Sequence, residues 1–278
     1  MGVPLYRTAD GRSPLLLISV HEGRHIPEEL YDREGHPLGI ADGADLERHI
    51  AFDLGAGEVT SHLAEHTGAH VFRLTHSRLV ADLNRYEDEL ESVAPVADGT
   101  EIPLNRALTS SQRDARLAAY HRPVLKGLND FVAGLARMLG FEPFVVSMHS
   151  FARTQKQNPV SKVEDICVFG YPEFGVSPNL EKFIAQLRLG DRDLVVGNNQ
   201  PFSAKTPGLQ TPEGDNRMAC PVTFPTVVQR ENVFNHFTFE ICQDLIKTAN
   251  DQGTMARLLC GAMAAIPAVR IPENTLSV

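Results

Sequence analysis

The chain has 278 residues, 42% of them hydrophobic and 22% charged, a balance that fits a globular protein and excludes general disorder. Its formal net charge of -9, with no basic block to offset it locally, argues against nucleic acid or an anionic membrane as a partner. No stretch approaches the length needed to span a bilayer, and the first ten residues lack the basic-then-apolar layout of a leader, so a cytoplasmic location is expected.

A single α/β domain of this length is common and nothing marks a linker, so residues 1–278 read as one domain. Cys167, Cys220, Cys242 and Cys260 are widely spaced and form no C-x-x-C pair, which points to reduced buried thiols rather than a zinc cage.

In chain order, residues 15–20 are an uninterrupted Leu/Ile/Val run, broken only by Ser19, that reads as a buried parallel strand. It runs into His21, Glu22 and Gly23, with a turn closed by Pro27. In open α/β sheets ligands sit beyond the carboxyl ends of the strands, so a histidine there stands where chemistry is expected. Residues 42–67 read as one helix stopped by Gly68. On such a helix His49 and Asp53, four residues apart, share a face, and either could reach a metal. A short strand over 69–74 leads into a loop that holds Arg78, Asn84 and Arg85. Guanidinium groups match carboxylates in two-pronged fashion, so the loop suits an anion, although loop arginines are often simply solvated.

Residues 87–108 are polar with scattered Pro and Gly, and read as an excursion or lid. Residues 110–139 read as helical, capped by Ser110 or Ser111 and broken or kinked near Pro123. Residues 144–150 repeat the design of the first strand, an apolar run that delivers His149 to the same sheet edge. Beyond it lies a polar segment, 151–162, with Arg153 as a candidate substrate contact. A strand over 163–170, a helix over 179–189 and a strand over 194–196 follow. The last ends in Gly197, Asn198, Asn199, Gln200, Pro201 and Phe202, whose amides suit polar recognition and equally suit a turn. The Pro-rich connection 203–230 is too long for an idle loop and is expected to cover a site. Residues 236–241 read as a strand with Glu240 set among apolar residues, where burial raises a carboxyl pKa toward the range of a general base. A helix over 254–265 closes an α/β fold with a mixed, mostly parallel sheet flanked by helices.

Two strand-end histidines, an acid, a strand glutamate and an arginine loop are the parts of a zinc hydrolase, which needs three protein ligands, an open position for water and a separate carboxylate. No compact H-x-x-E or H-E-x-x-H signature joins them, so spacing alone leaves their convergence open.

The ordered set His21-Glu22-Gly23, Asp53, the run Ser77-Arg78-Leu79-Val80-Ala81-Asp82-Leu83-Asn84-Arg85, Met148-His149-Ser150 and Glu240 resembles the N-formylglutamate amidohydrolase family, from about residue 15 to residue 246. The S-R-x-V-x-D-x-N-R run is its most specific part. Residues 48–56 and 196–202 are more similar to the branch described as predicted formylglutamate amidohydrolases. The resemblance implies a fold like that of zinc carboxypeptidases and zinc muramoyl-alanine amidases, and metal-dependent hydrolysis of a small acidic N-formyl amino acid, such as N-formylglutamate, to formate and the free amino acid. It implies zinc, or another divalent transition metal, on His21, His149 and Asp53, with His49 as the rival third ligand. Glu240 then activates water, and Arg78, Asn84 and Arg85 hold substrate carboxylates. Val20 and Glu22 stand where the family typically has proline and serine, and Gln243-Asp244-Leu245 where a tyrosine-methionine pair is frequent. A zinc amidase or carboxypeptidase acting on a peptide or other acylated amino acid would use the same parts. A metal-free protein that binds a carboxylated ligand through Arg78 and Arg85 is the alternative from another class, and a homo-oligomer is compatible with either.

Overall fold

Apolar runs with β-branched residues set the strands, and seven of them form one sheet in the computed structural model, which describes residues 3–156, 161–169, 178–198, 236–266 and 269. The strands are β1 (Tyr6–Ala9), β2 (Leu15–Ser19), β3 (His70–Leu74), β6 (Phe144–Phe151), β7 (Ile166–Phe169), β8 (Val196–Asn198) and β9 (His236–Cys242), in the spatial order β1-β3-β2-β6-β9-β7-β8. β2 is parallel to β3 and β6, β6 to β9, and β7 to β8, whereas β1 and β7 run antiparallel to β3 and β9. The sheet is therefore mixed and mostly parallel. β2 and β6 lie inside it and are buried on both faces, which is why each opens on a continuous apolar run, Leu15 to Ile18 and Phe144 to Val146.

One face is covered by α1 (Ala56–Thr67), α5 (Pro178–Gly190) and α6 (Ala249–Ala264) over Leu15, Leu17, Val146, Met148, Phe237 and Phe239. α4 (Arg122–Leu139) covers the other with a stripe of Val124, Leu128, Val132 and Leu135, packed on Leu16, Ile18, Phe72 and Val145. α3 (Ser110–Tyr120) leads into α4 across His121, with Pro123 in the first turn of α4, where a missing N–H costs nothing. The α3 cap is Thr109, one residue before the serines, in a reciprocal box with Gln112. Thr248 and Asp251 cap α6 in the same way, so that helix starts at Ala249 rather than near 254.

Two expectations need correction. Residues 42–67 are not one helix: a 3-10 turn covers Gly43–Glu47, and α1 begins only at Ala56. Gly55 breaks the run with a left-handed backbone (φ 76), so His49 and Asp53 lie in the loop before α1, not on a helical face. That loop buries Ile50, Ala51 and Phe52 against Ile26, Leu38, Leu79 and Val80. Residues 87–108 are not a lid. They carry the two-stranded pair β4 (Val96–Ala97) and β5 (Thr100–Glu101) and the short α2 (Pro103–Arg106), and Ile102 enters the same cluster. The buried Asn105 amide donates to the carbonyls of Leu79 and Ala94, tying this segment to the arginine loop.

β8 lies slightly later than expected, at Val196–Asn198, and β1 joins the sheet edge where no element was expected. Cys167, Cys242 and Cys260 are buried. Residues 199–202, the connection 203–230 and Cys220 lie outside the described residues. Among the described residues no helix is long and apolar enough to cross a membrane.

Candidate active site

The sheet edge at which β2, β6 and β9 end collects the polar residues that those strands carry. The loop before α1 is pinned there, because the Asp53 N–H donates to the His21 carbonyl at 2.7 Å. Asp53 Oδ2 accepts from His149 Nδ1 at 3.0 Å and from the Ser150 N–H at 3.1 Å, and lies 3.6 Å from His21 Nδ1. The two imidazoles meet edge to face with centroids 4.9 Å apart. His21, Asp53 and His149 are all buried, and one potential donor atom from each falls within 4.8 Å of the others.

The other His21 nitrogen, Nε2, is 2.7 Å from Asp82 Oδ1. Asp82 is itself oriented: Oδ2 accepts from Arg78 Nε and Nη2 at 3.2 and 2.8 Å, and Oδ1 accepts from the Asn84 N–H at 2.8 Å. Arg78 Nη1 also lies 3.5 Å from Asp53 Oδ1, so this guanidinium is committed to two carboxylates of the cluster. Asp82 is a site residue that sequence reasoning passed over, because the run containing it was read for its arginines. The Arg78/Asp82 spacing of four and the Asp-x-Asn turn carried the information.

Glu240 on β9 is the in-register neighbour of His149 on β6, so both side chains rise from the same face of adjacent parallel strands. His49 stands elsewhere, with Nε2 3.5 Å from Asp98 Oδ2, and does not join the cluster. Arg153 lines a cavity together with Arg24, Glu58 and Asp244. It pairs with Asp165 at 2.6 Å and Asp244 at 3.2 Å and donates to the Lys162 carbonyl, bracing the strand ends. Asn84 is buried beside Asp82, and Arg85 donates to the Asn84 carbonyl at 2.9 Å.

The electrostatics follow from this packing. Burial alone would raise the Asp53 carboxyl, yet the His21 charge and the hydrogen bond from His149 hold it well below the usual carboxylate range. Asp82 behaves alike: burial opposes ionisation and Arg78, with His21, more than reverses it. His21 is pulled down by burial and by Arg78, but Asp82 and Asp53 raise it overall. Glu240 is pushed up to about 7, first by burial, with the Asp53 charge adding and His149, Arg78 and Arg85 opposing. Two ionised carboxylates thus face one guanidinium and two imidazoles, and with both imidazoles neutral, as metal ligands must be, one net negative charge is left for an added cation.

The residues fit a divalent metal. His149 Nε2 is buried with no hydrogen-bond partner among the described residues, an orphan that a protein rarely leaves without a use. Two imidazoles and one carboxylate are the donor set of catalytic zinc sites, and the Asp82 contact to the far nitrogen of His21 is the outer support that metal-binding histidines have.

The family model for N-formylglutamate amidohydrolase matches residues 13–246, a span containing every residue of this cluster. The chain belongs to the N-formylglutamate amidohydrolase family. In fold it is similar to the gene product Atu2144 from Agrobacterium tumefaciens, with a TM-score of 0.77 at 22% identity over 94% of this chain and 93% of that one. It is also similar to the N-formylglutamate amidohydrolase from Ralstonia eutropha JMP134, with a TM-score of 0.56 at 19% identity over 96% of this chain and 99% of that one. At these identities the likeness is one of fold. No curated protein matches the chain.

Proposed function

We propose that the protein is a metal-dependent amidohydrolase that cleaves an N-formyl amino acid such as N-formylglutamate to formate and the free amino acid, acting in the cytoplasm. The observation that carries this reading is the convergence of His21, Asp53 and His149, with Glu240 one strand away, in a member of this family. His21, Asp53 and His149 would hold the metal, and the nitrogen-rich donor set favours zinc. When bound, the metal acts as a Lewis acid, making water more acidic and favouring negative charge on the carbonyl oxygen.

The chain's own groups do the rest. Glu240, with a proton affinity near neutrality, takes the proton of the attacking water and returns it to the leaving nitrogen. Arg85 and Asn84 bind a substrate carboxylate, so that attack on the formyl carbon becomes effectively intramolecular. Arg78 holds Asp82 and Asp53 in place, and its positive field reaches the same carboxylate.

Formate release from a panel of N-formyl and N-acyl amino acids, with and without a chelator and with metal content measured in parallel, tests the proposal. Chelator-sensitive release from N-formylglutamate with about one metal per chain is expected. Cleavage of acylated peptides with no formate release would move the reading to an amidase or carboxypeptidase, and undiminished turnover after complete metal removal would overturn the metal role.

A further inference from the structure

The two strands that carry His149 and Glu240 have unlike faces. Toward α5 and α6 they present Val146, Met148, Phe237, Phe239 and Ile241, all in the core. On the other face the register sets Ser147 beside Thr238, one repeat below His149 beside Glu240. Ser147 and Thr238 are 0% exposed. Among the described residues Thr238 Oγ1 has no hydrogen-bond partner, and Ser147 Oγ meets His236 Nε2 at 3.5 Å. Burial pushes His236 down to about 3, so its ring is neutral, and in the tautomer with the proton on Nε2 it donates to Ser147 and leaves the serine O–H for another acceptor. A buried hydroxyl left unpaired costs about 1–3 kcal/mol, and the opposite face of the same strands shows that apolar residues suit this sheet. The hydroxyls call for a ligand acceptor.

The site needs one. With Arg78 committed to Asp82 and Asp53, the Asn84–Arg85 loop serves one end of a dicarboxylic substrate, and the other end requires a second anchor. The length fits. Two residues along a strand cover about 6.6 Å, and the formyl carbon of an N-formylated five-carbon dicarboxylic amino acid lies roughly 5–6 Å from its distal carboxylate by ordinary bond lengths.

We propose that Ser147 and Thr238 form the side-chain subsite of this hydrolase, donating hydrogen bonds to the distal carboxylate of an N-formyl dicarboxylic amino acid whose formyl group lies beside His149 and Glu240. This assignment rests on the hydrolase reading above and makes it specific. Neutral hydroxyl donors aligned with the catalytic pair select a substrate by the position of its far oxygen atoms, and an apolar side chain placed there would leave them unmatched.

The test compares Thr238→Val, Thr238→Ser and Ser147→Ala with the parent, using formate release from N-formyl-L-glutamate and N-formyl-L-leucine, metal content, and calorimetric binding of L-glutamate. In Thr238→Val and Ser147→Ala the ratio of kcat/KM for the glutamate over the leucine compound falls at least tenfold, mainly through KM. L-Glutamate binding weakens in step, metal content stays at the parental level, and Thr238→Ser keeps the parental ratio. Should Thr238→Val not fold, Ser147→Ala remains decisive. A ratio within twofold of the parent in folded, metal-replete Thr238→Val or Ser147→Ala overturns the subsite alone. A metal-loaded parent that releases formate from neither compound overturns the hydrolase reading and the subsite with it.

Discussion

Replacing Asp82 with asparagine isolates the charge that links the arginine loop to His21. Asparagine keeps an oxygen able to accept from His21 and from the Asn84 N–H, but removes the anion that Arg78 grips at 2.8 Å. Asp82 is 4% exposed, so solvent screens the pair little. Breaking a buried ion pair from one side costs about 3–5 kcal/mol. Arg78 retains Asp53 at 3.5 Å and the hydrogen-bond acceptor survives, so about 2–4 kcal/mol is expected for the metal-free protein. Urea unfolding of chelated protein at pH 7 reads this as a midpoint lowered by about 1 M, taking a slope of about 3 kcal/mol/M.

The sign with pH follows from the lowered pKa of Asp82. A carboxyl depressed in the folded state contributes its stability above the unfolded value of 3.8 and loses it as pH falls through the folded value. The gap between parent and variant is therefore constant above about pH 5 and narrows below 3.8. Metal affinity should fall about 10–100-fold, as expected when the outer partner of a metal-binding histidine is weakened. An unchanged urea midpoint at pH 7, or a gap that persists undiminished down to pH 2, would refute the claim that Asp82 acts as a buried anion.

Glu240→Gln should lower kcat by about 10²–10⁴ with metal content unchanged, the size of a lost general base. In the parent the rate should rise with pH as Glu240 ionises, with the limb at or below its metal-free value of about 7, because a nearby cation favours the carboxylate; a flat profile from pH 5 to 8 would count against this role. His149→Ala should abolish stoichiometric metal binding, and the stabilisation of about 2.7 kcal/mol that zinc at a hundred times its Kd gives the parent should vanish from the variant's melting curve. Gly55→Ala forces a side chain onto a residue at φ 76, with its Cβ 2.7 Å from the Ile246 carbonyl oxygen. The cost is about 1–3 kcal/mol, seen as a drop in Tm of about 2–4 °C per kcal/mol, and wild-type Tm in that variant would show that the turn before α1 is not constrained as described.

What the sequence revealed tracked how strongly local pattern and tertiary demand agreed. β2 and β6 were legible because burial on both faces demands a continuous apolar run, and the histidine that follows each run stood out against it. β1 was not, since three of its four residues are exposed and its pairing with β3 is supplied by the partner strand. The 42–67 segment misled because Ile50 and Leu54 match a helical period, while the left-handed turn at Gly55 is a single-residue event that no periodicity registers. The choice between Asp53 and His49 could not be read from spacing, because both lie in one irregular loop and only its fold back onto the His21 carbonyl decides which side chain faces the cluster. Asp82 escaped because the run that holds it stood out for its arginines, while the contact that gives Asp82 its role spans 61 residues.

The pairing of His149 with Glu240 across hydrogen-bonded strands has one last consequence. The separation of their Cα atoms is set by the interstrand repeat of about 4.8 Å, a backbone constant that no loop can tune. Sliding either strand by a single residue would turn one of the two groups to the opposite side of the sheet. Heat or denaturant must therefore open this inner ladder before the backbone positions of the two groups can part, so their register is lost only with the sheet itself.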